Sequence, residues 1–337
     1  MMNGEPISYG ANSLLSVTHL RSPPKMNHSH LLSDVMQLRQ PSFVATFGQI
    51  AKEIPDAIML SVGSPNATLF PFKEMTLTMR NGQDITVDEF MMKKCLQYGS
   101  AKGFEPLLEQ LKILTKKLHE PPQWENKDIV VLAGSQMGIG LVFEMLVNPE
   151  DFVITPEPTY PGIFNALQPL PHQLVSVTCD SEGVRPDDLK DVLEKCRSSS
   201  KGKPKVMYVN PSGNNPTGVV WSESRRRLVY EIACQYDIII LEDDPYYLLE
   251  FSETLTPSFL HLDSENRVIR LDSFSKTVSA GIRLGYATGS KDLIEKLRLL
   301  MMCTINHVSL VAQYLKHESS EETNIDEELK CTAKRKT

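Results

Sequence analysis

Apolar and polar positions along the chain change character near residue 128. Before it, residues 1–45 are rich in Ser, Asn, His and Pro and show no sustained period. After it, short apolar runs alternate with longer amphipathic ones. "DIVVLAGS", "DFVITPEPTY", "HQLVSVTCD", "KVMYVNPSG", "IIILEDDPYY" and "RVIRLDS" each predict a strand bounded by Pro, Gly or Asp. "SQMGIGLVFEMLVNP" predicts a helix ended by Pro149, and "SKDLIEKLRLLMMC" predicts another. In "SESRRRLVYEIACQYD" the positions Leu228, Val229, Ile232, Ala233 and Tyr236 fall on one helical face, with Ser222 placed to cap the start. A last strand-like run, Leu284 to Thr288, follows Arg283. Short apolar strands alternating with helices predict an α/β fold, a mostly parallel sheet with helices on both faces. Ligands collect at the carboxyl ends of such strands, so the polar residues that terminate strands are the ones to examine.

Composition narrows the classes. The chain has 337 residues, 41% hydrophobic and 23% charged, enough for one large core or a large domain with a smaller one. With 42 acidic against 35 basic residues, the net charge of −7 argues against nucleic acid or an anionic membrane as the main partner. No apolar run approaches the length of a membrane span, which predicts a soluble protein. The six cysteines form no C-x-x-C pair, which favours free thiols in a reducing compartment. The eight histidines form no recognisable ligand set, and His28 and His30 fall in the polar leader, so no metal site is expected. That leader is Ser-rich and poor in acids, compatible with a mitochondrial presequence or with a plain disordered arm.

Four strand ends carry suggestive chemistry. After "IVVLA", Gly134-Ser135-Gln136 opens a helix whose free N–H groups suit a phosphate, though an ordinary serine cap explains it too. After "KVMYV" a turn with two prolines and two glycines gathers three asparagines and presents Asn215 above the sheet. After "DIIIL" come Glu242, Asp243 and Asp244, then Tyr246. Three acids there could hold a divalent metal, or one buried aspartate could pair with a cationic heterocycle. After "RVIRL", Lys276 stands among Ser273, Ser275 and Thr277, seven residues before Arg283. Alone it reads as a solvated loop lysine; held near Arg283 it could form an imine with an aldehyde. Phosphate cradle, carboxylate, amide and phenol donors and lysine together fit one cofactor, pyridoxal 5′-phosphate.

The segments "MMKKCLQYGSAKG", "SGNNPTG", "EDDPYY" and "DSFSKTVSAGIRLGY" resemble the class I and II aminotransferases of fold type I, over about Met26 to Gln313. The resemblance implies that Lys276 bonds the cofactor and then carries the reacting proton, and that Asp243 neutralises the ring nitrogen. It implies that Asn215 and Tyr246 bond the ring oxygen, that Tyr160 stacks on the ring, and that Ser135, Gln136, Ser273 and Arg283 hold the phosphate, with Ser275 a lesser candidate. Tyr98 would reach the phosphate of a neighbouring subunit, so the implied functional unit is a homodimer working on amino-acid and 2-oxo-acid substrates, in the cytoplasm or mitochondrial matrix. On this basis the chain divides into an N-terminal leader or arm (1–45), a cofactor-binding large domain (46–313) and a charged tail expected to lack packed structure (314–337). Family members continue into a C-terminal small domain with a carboxylate-binding arginine. Here the expectation is that this domain is missing, that Ala45 stands where a substrate-contacting arginine would be, and that activity is impaired. Two other readings stay open: another fold type I reaction such as β-elimination or a synthase step, and a non-catalytic partner that pairs with a longer subunit.

Overall fold

The predicted strands pair into a single eight-stranded sheet in the computed structural model, which describes residues 28–40, 54, 63–168, 174–252 and 254–321. A hairpin of β1 (Met75–Thr78) and β2 (Asp84–Val87) stands apart from it. The sheet contains β3 (Lys127–Leu132), β4 (Phe152–Glu157), β5 (Leu174–Asp180), β6 (Gly183–Val184), β7 (Pro204–Val209), β8 (Ile239–Asp243), β9 (Val268–Ser273) and β10 (Gly285–Ser290). Its order is β3-β10-β9-β8-β7-β4-β5-β6. From β9 to β5 neighbouring strands run parallel, while β10 runs antiparallel to both β9 and β3. All six residues of β7 and all five of β8 are buried, as expected for central strands covered on two faces.

Two apolar clusters lie against the two faces. One joins one face of the strands, including Ile129, Val131, Tyr208 and Leu241, to helices at Asp34–Leu38, Glu105–His119, Ser135–Leu146 and Lys291–Thr304. The other packs Met207, Val209, Ile238 and Ile240 under Pro186–Arg197 and Glu223–Tyr236. Ser222 caps the latter helix as predicted, accepting the N–H of Arg225 at 3.2 Å. Val229, Ile232 and Ala233 of the predicted face are buried, but its edges differ. Leu228 is 47% exposed, and Arg226 is fully buried in line with Val229, Tyr230 and Ala233. Burial of this arginine is possible because its guanidinium finds the carbonyls of Trp221, Pro211 and Pro257 and the Ser212 hydroxyl at 3.1 to 3.3 Å.

Two expected boundaries also differ. Part of the 1–45 leader packs: a turn at His28–Leu31 and a helix at Asp34–Leu38 bury Leu31, Leu32 and Met36 in the larger cluster. His28 is buried with Nδ1 2.7 Å from Asp292, and His30 sits at the surface 2.7 Å from Asp237. The chain does not stop packing at 313 either, because a helix runs through Leu310–Glu321. Leu310, Gln313, Tyr314 and His317 recur at helical spacing and are buried, and the Lys316 ammonium lies 4.8 Å from the Phe274 ring centroid. Composition alone concealed this apolar stripe. Ala45, the first 27 residues and residues 322–337 lie outside the described residues. Among the described residues no helix is long and apolar enough to cross a membrane.

Candidate active site

Parallel strands bring their carboxyl ends to one edge, and the antiparallel β10 brings its beginning there. Gly285 pairs with Leu132 on one side and Ser273 on the other. Arg283, two residues before β10, is thereby suspended over the turn that leaves β3. It donates from Nη2 to the Ala133 carbonyl at 3.3 Å and from Nη1 to the Ala280 carbonyl at 2.9 Å. Gly134 makes this approach possible. Its φ is +87°, and a Cβ there would lie 2.6 Å from Arg283 Nη2. Ser135 and Gln136 then open the helix Ser135–Leu146, with their end of the macrodipole toward the guanidinium. A helix N-terminus, two hydroxyl or amide side chains and an arginine make a dianion cradle.

These groups line one cleft of about 250 Å³ with Tyr160, Tyr208, Asn210, Asn215, Asp243, Tyr246, Ser273, Ser275 and Lys276. The structure therefore gathers every predicted site residue except Tyr98, which is 60% exposed and packs edge-on against His307. Lys276 Nζ lies 5.8 Å from the centroid of the Tyr246 ring. Gln136 Nε2 donates to the Gly162 carbonyl at 3.0 Å, and Gly162 leaves room for the Tyr160 ring, which a Cβ there would meet at 2.2 Å.

The three acids at the end of β8 separate into different roles. Glu242 accepts the N–H groups of Phe259 and Leu260 at 2.8 and 3.1 Å and pairs with Arg270 at 3.1 Å. Asp244 accepts the Ser212 N–H and hydroxyl at 3.2 and 3.0 Å and also pairs with Arg270, at 3.3 Å. Arg270 is fully buried and reaches Asp272 at 2.9 Å as well. Alternation along the strand turns Glu242 and Asp244 to the Arg270 side and Asp243 to the cleft. The metal alternative for this trio loses its geometry, since two of the three carboxylates are already committed.

Asp243 accepts the Tyr208 hydroxyl on Oδ2 at 2.9 Å, and its Oδ1 is buried with no hydrogen-bond partner among the described residues. Burial raises its carboxyl to about 7; the Tyr208 hydroxyl bonded to it pulls it down, as does the Ser135 side chain without reaching it in hydrogen-bonding geometry, and Asp244 and Asp272 push it up. Burial also raises the Tyr160 phenol, with Asp243 and Tyr246 adding to the effect. A buried carboxylate with one oxygen unsatisfied calls for a cationic donor. The protonated nitrogen of a pyridine ring is such a donor, and the dianion cradle at Gly134 would take a phosphate on the same ring. The residues present fit pyridoxal 5′-phosphate. Sequence reasoning missed Tyr208 and Asn210, the latter donating to the Asp243 carbonyl at 2.6 Å. Tyr208 was hidden in an apolar strand, whereas Asn210 opened the asparagine-rich turn and could have been found there.

Comparison with known proteins gives the family. The family described as aminotransferase class I and II matches residues 56–336, and the chain belongs to it: this is a transaminase of fold type I whose cofactor is pyridoxal 5′-phosphate. Within that class it is similar to the mitochondrial kynurenine/alpha-aminoadipate aminotransferase of Bos taurus, 40% identical over 302 residues that cover 86% of this chain and 71% of the bovine one. A crystal structure of an aminotransferase from Candida albicans superposes with a TM-score of 0.85 at 28% identity, over 94% of this chain and 75% of that one. A Pyrococcus horikoshii kynurenine aminotransferase, solved with PMP and kynurenine, does so with a TM-score of 0.69 at 29% identity, over 90% and 73%.

Proposed function

We propose that this chain moves the amino group of 2-aminoadipate, kynurenine or a related amino acid to 2-oxoglutarate, with Lys276 as cofactor anchor and proton carrier. The observation that carries the reading is the Oδ1 of Asp243, unpartnered among the described residues, in the cleft that Lys276 also lines. The choice of substrates rests on the similarity to kynurenine/alpha-aminoadipate aminotransferases. When bound, pyridoxal 5′-phosphate supplies an aldehyde for the lysine and a conjugated ring that accepts the electron pair left at the substrate Cα.

The chain's own residues do the rest. Ser135, Gln136, Ser273 and Arg283 hold the phosphate and so fix the ring in the cleft. Asp243 keeps the ring nitrogen protonated, Asn215 and Tyr246 donate to the ring oxygen, and Tyr160 covers one face and excludes water from it. Lys276 Nζ then takes the proton from the substrate Cα, a transfer that requires it within hydrogen-bond reach. Tyr98, lying outside its own cleft, serves the phosphate of a second copy, which makes the working unit a homodimer. Of the two compartments, cytoplasm or mitochondrial matrix, the word mitochondrial in the names of the mammalian relatives supports the second.

The test loads purified protein with pyridoxal 5′-phosphate, reduces it with borohydride and maps the adduct. A label on Lys276 that is lost in Lys276→Ala is the expected result, and a label retained in the variant overturns the assignment. A donor panel with 2-oxoglutarate then reads the substrate. Turnover of 2-aminoadipate or kynurenine that depends on the acceptor supports transamination, and oxo-acid release without acceptor overturns it in favour of elimination.

A further inference from the structure

Asn210 directly follows strand β7 and is 2% exposed. Both halves of its amide are used. Nδ2 donates to the backbone carbonyl of Asp243 at 2.6 Å, and Oδ1 accepts the backbone N–H of Asn215 at 2.8 Å. The orientation of the amide is fixed by its partners, because a carbonyl only accepts and a backbone N–H only donates. One side chain therefore ties the end of β8 to the turn that presents Asn215. These two segments carry the groups for two different atoms of one planar ring, its nitrogen and its oxygen.

Holding the turn onto the sheet is a separate task with separate bonds. Ser212 reaches Asp244 through its N–H and hydroxyl, and Arg226 holds the Pro211 carbonyl at 3.3 Å. The peptide of Asp244 is fixed independently by its N–H to the Leu271 carbonyl at 3.1 Å. Removing the Asn210 amide leaves those bonds in place. What it frees is the spacing between Asp243 and Asn215, and the Tyr208 hydroxyl alone does not fix that spacing, because it grips only the Asp243 carboxylate.

We infer that Asn210 is a positioning residue of the cofactor site, setting Asp243 and Asn215 at the separation at which a single ring meets both. The inference rests on the roles given above to Asp243 and Asn215. It does not make Asn210 a catalytic residue, since it acts through its two neighbours.

The experiment uses the full chain with pyridoxal 5′-phosphate as the probe and compares Asn210→Ala, Asn210→Asp and Asn215→Ala. Asn210→Asp keeps an acceptor for the Asn215 N–H and loses the donor to Asp243, so a fold defect in the alanine variant does not end the test. Borohydride labelling of Lys276 is expected to persist in both Asn210 variants. Cofactor affinity is expected to fall by up to roughly tenfold in both Asn210 variants, as though the misplaced ring lost one uncharged hydrogen bond. The visible band of the bound cofactor, and the pH at which it titrates, are expected to move, because both report the ring's contacts. With Asn215→Ala already in place, Asn210→Ala is expected to cost less than it does alone, the mark of two residues acting as one unit. A lowered Tm with the parent's band, titration and affinity would make Asn210 merely structural, and full additivity with Asn215→Ala would make it independent. Either result overturns the inference while labelling of Lys276 leaves the site reading standing. Absence of that label in the parent chain would overturn the site reading and this inference with it.

Discussion

Tyr208 donates to one oxygen of Asp243 at 2.9 Å and leaves the other oxygen buried without a partner among the described residues. The strand pair β7–β8 enforces this, since Tyr208 stands opposite Leu241 and its ring projects on the face that Asp243, two residues on, also uses. The fold thus builds a half-satisfied carboxylate before any ligand arrives. An unsatisfied buried acceptor destabilises the empty protein and strengthens its hold on a cationic donor.

That relationship fixes a pH dependence. The Asp243 carboxyl sits near 7 in the folded chain against 3.8 for a free aspartate. Between those values the unfolded chain has lost this proton and the folded chain keeps it, so rising pH favours unfolding. Cofactor-free protein should lose stability from about pH 4 to 7, on the order of 4 kcal/mol from this group, and lose no more above it. In Asp243→Asn that slope should vanish, and the empty variant should be the more stable protein at neutral pH. Its cofactor affinity should nevertheless fall by roughly 10- to 100-fold, the loss of a charged hydrogen bond. Thermal melts of both proteins across this range give the difference directly. Equal slopes would assign the titration to another carboxylate.

The strands were legible in the sequence because central parallel strands are apolar throughout, as in "KVMYV" and "DIIIL". The candidate residues were legible because they terminate those strands. Direction was not. Nothing in "LGYATG" says that β10 runs against its neighbours, yet that reversal is what suspends Arg283 over Gly134. Buried charge was also hidden. Arg226 and Arg270 look like surface residues by composition and are interior because carbonyls and carboxylates surround them. The helix Leu310–Glu321 was obscured by the charges between its apolar positions, and the hairpin and helix from Met75 to Cys95 by their shortness, whereas Glu105–His119 carries a clear helical period that sequence reasoning missed.

Gly134→Ala tests the phosphate cradle. The residue's φ of +87° disfavours any side chain, and the new methyl would displace the Arg283 guanidinium from 2.6 Å away. With ψ at 163° this is an extended, positive-φ conformation almost confined to glycine, and the backbone alone should cost about 1–3 kcal/mol of stability. Affinity for pyridoxal 5′-phosphate should fall further than affinity for pyridoxal, which lacks the phosphate, because the change falls on the anion end of the cleft. Equal losses for the two, measured by fluorescence titration, would separate Gly134 from phosphate binding.

Arg270→Met tests the buried ion cluster. This one guanidinium faces Glu242, Asp244 and Asp272, and all four side chains are mostly or wholly buried. Removing it should destabilise by about 3–5 kcal/mol, since carboxylates are left uncompensated in the interior. Adding Asp244→Asn should recover part of that loss. A denaturation series in which the double variant is less stable than Arg270→Met would mean that Ser212 and the other partners of Asp244, rather than charge balance, dominate there.

Tyr98 tests the homodimer. It is exposed at 60% and lies outside the cleft of its own chain, and its ring meets His307 edge-on. If it serves a second copy, each site combines Lys276 from one chain with Tyr98 from the other, and defects at the two positions can be separated by mixing. Tyr98→Ala and Lys276→Ala should each be impaired when assayed alone at limiting cofactor. Refolded together as a random mixture, half of the dimers are mixed and one site in each mixed dimer is intact. Transamination should then return to roughly a quarter of the parent's level, as closed two-fold symmetry requires. The same mixture should sediment as a dimer. No recovery on mixing, with dimers present, would place Tyr98 at the site of its own chain or at none.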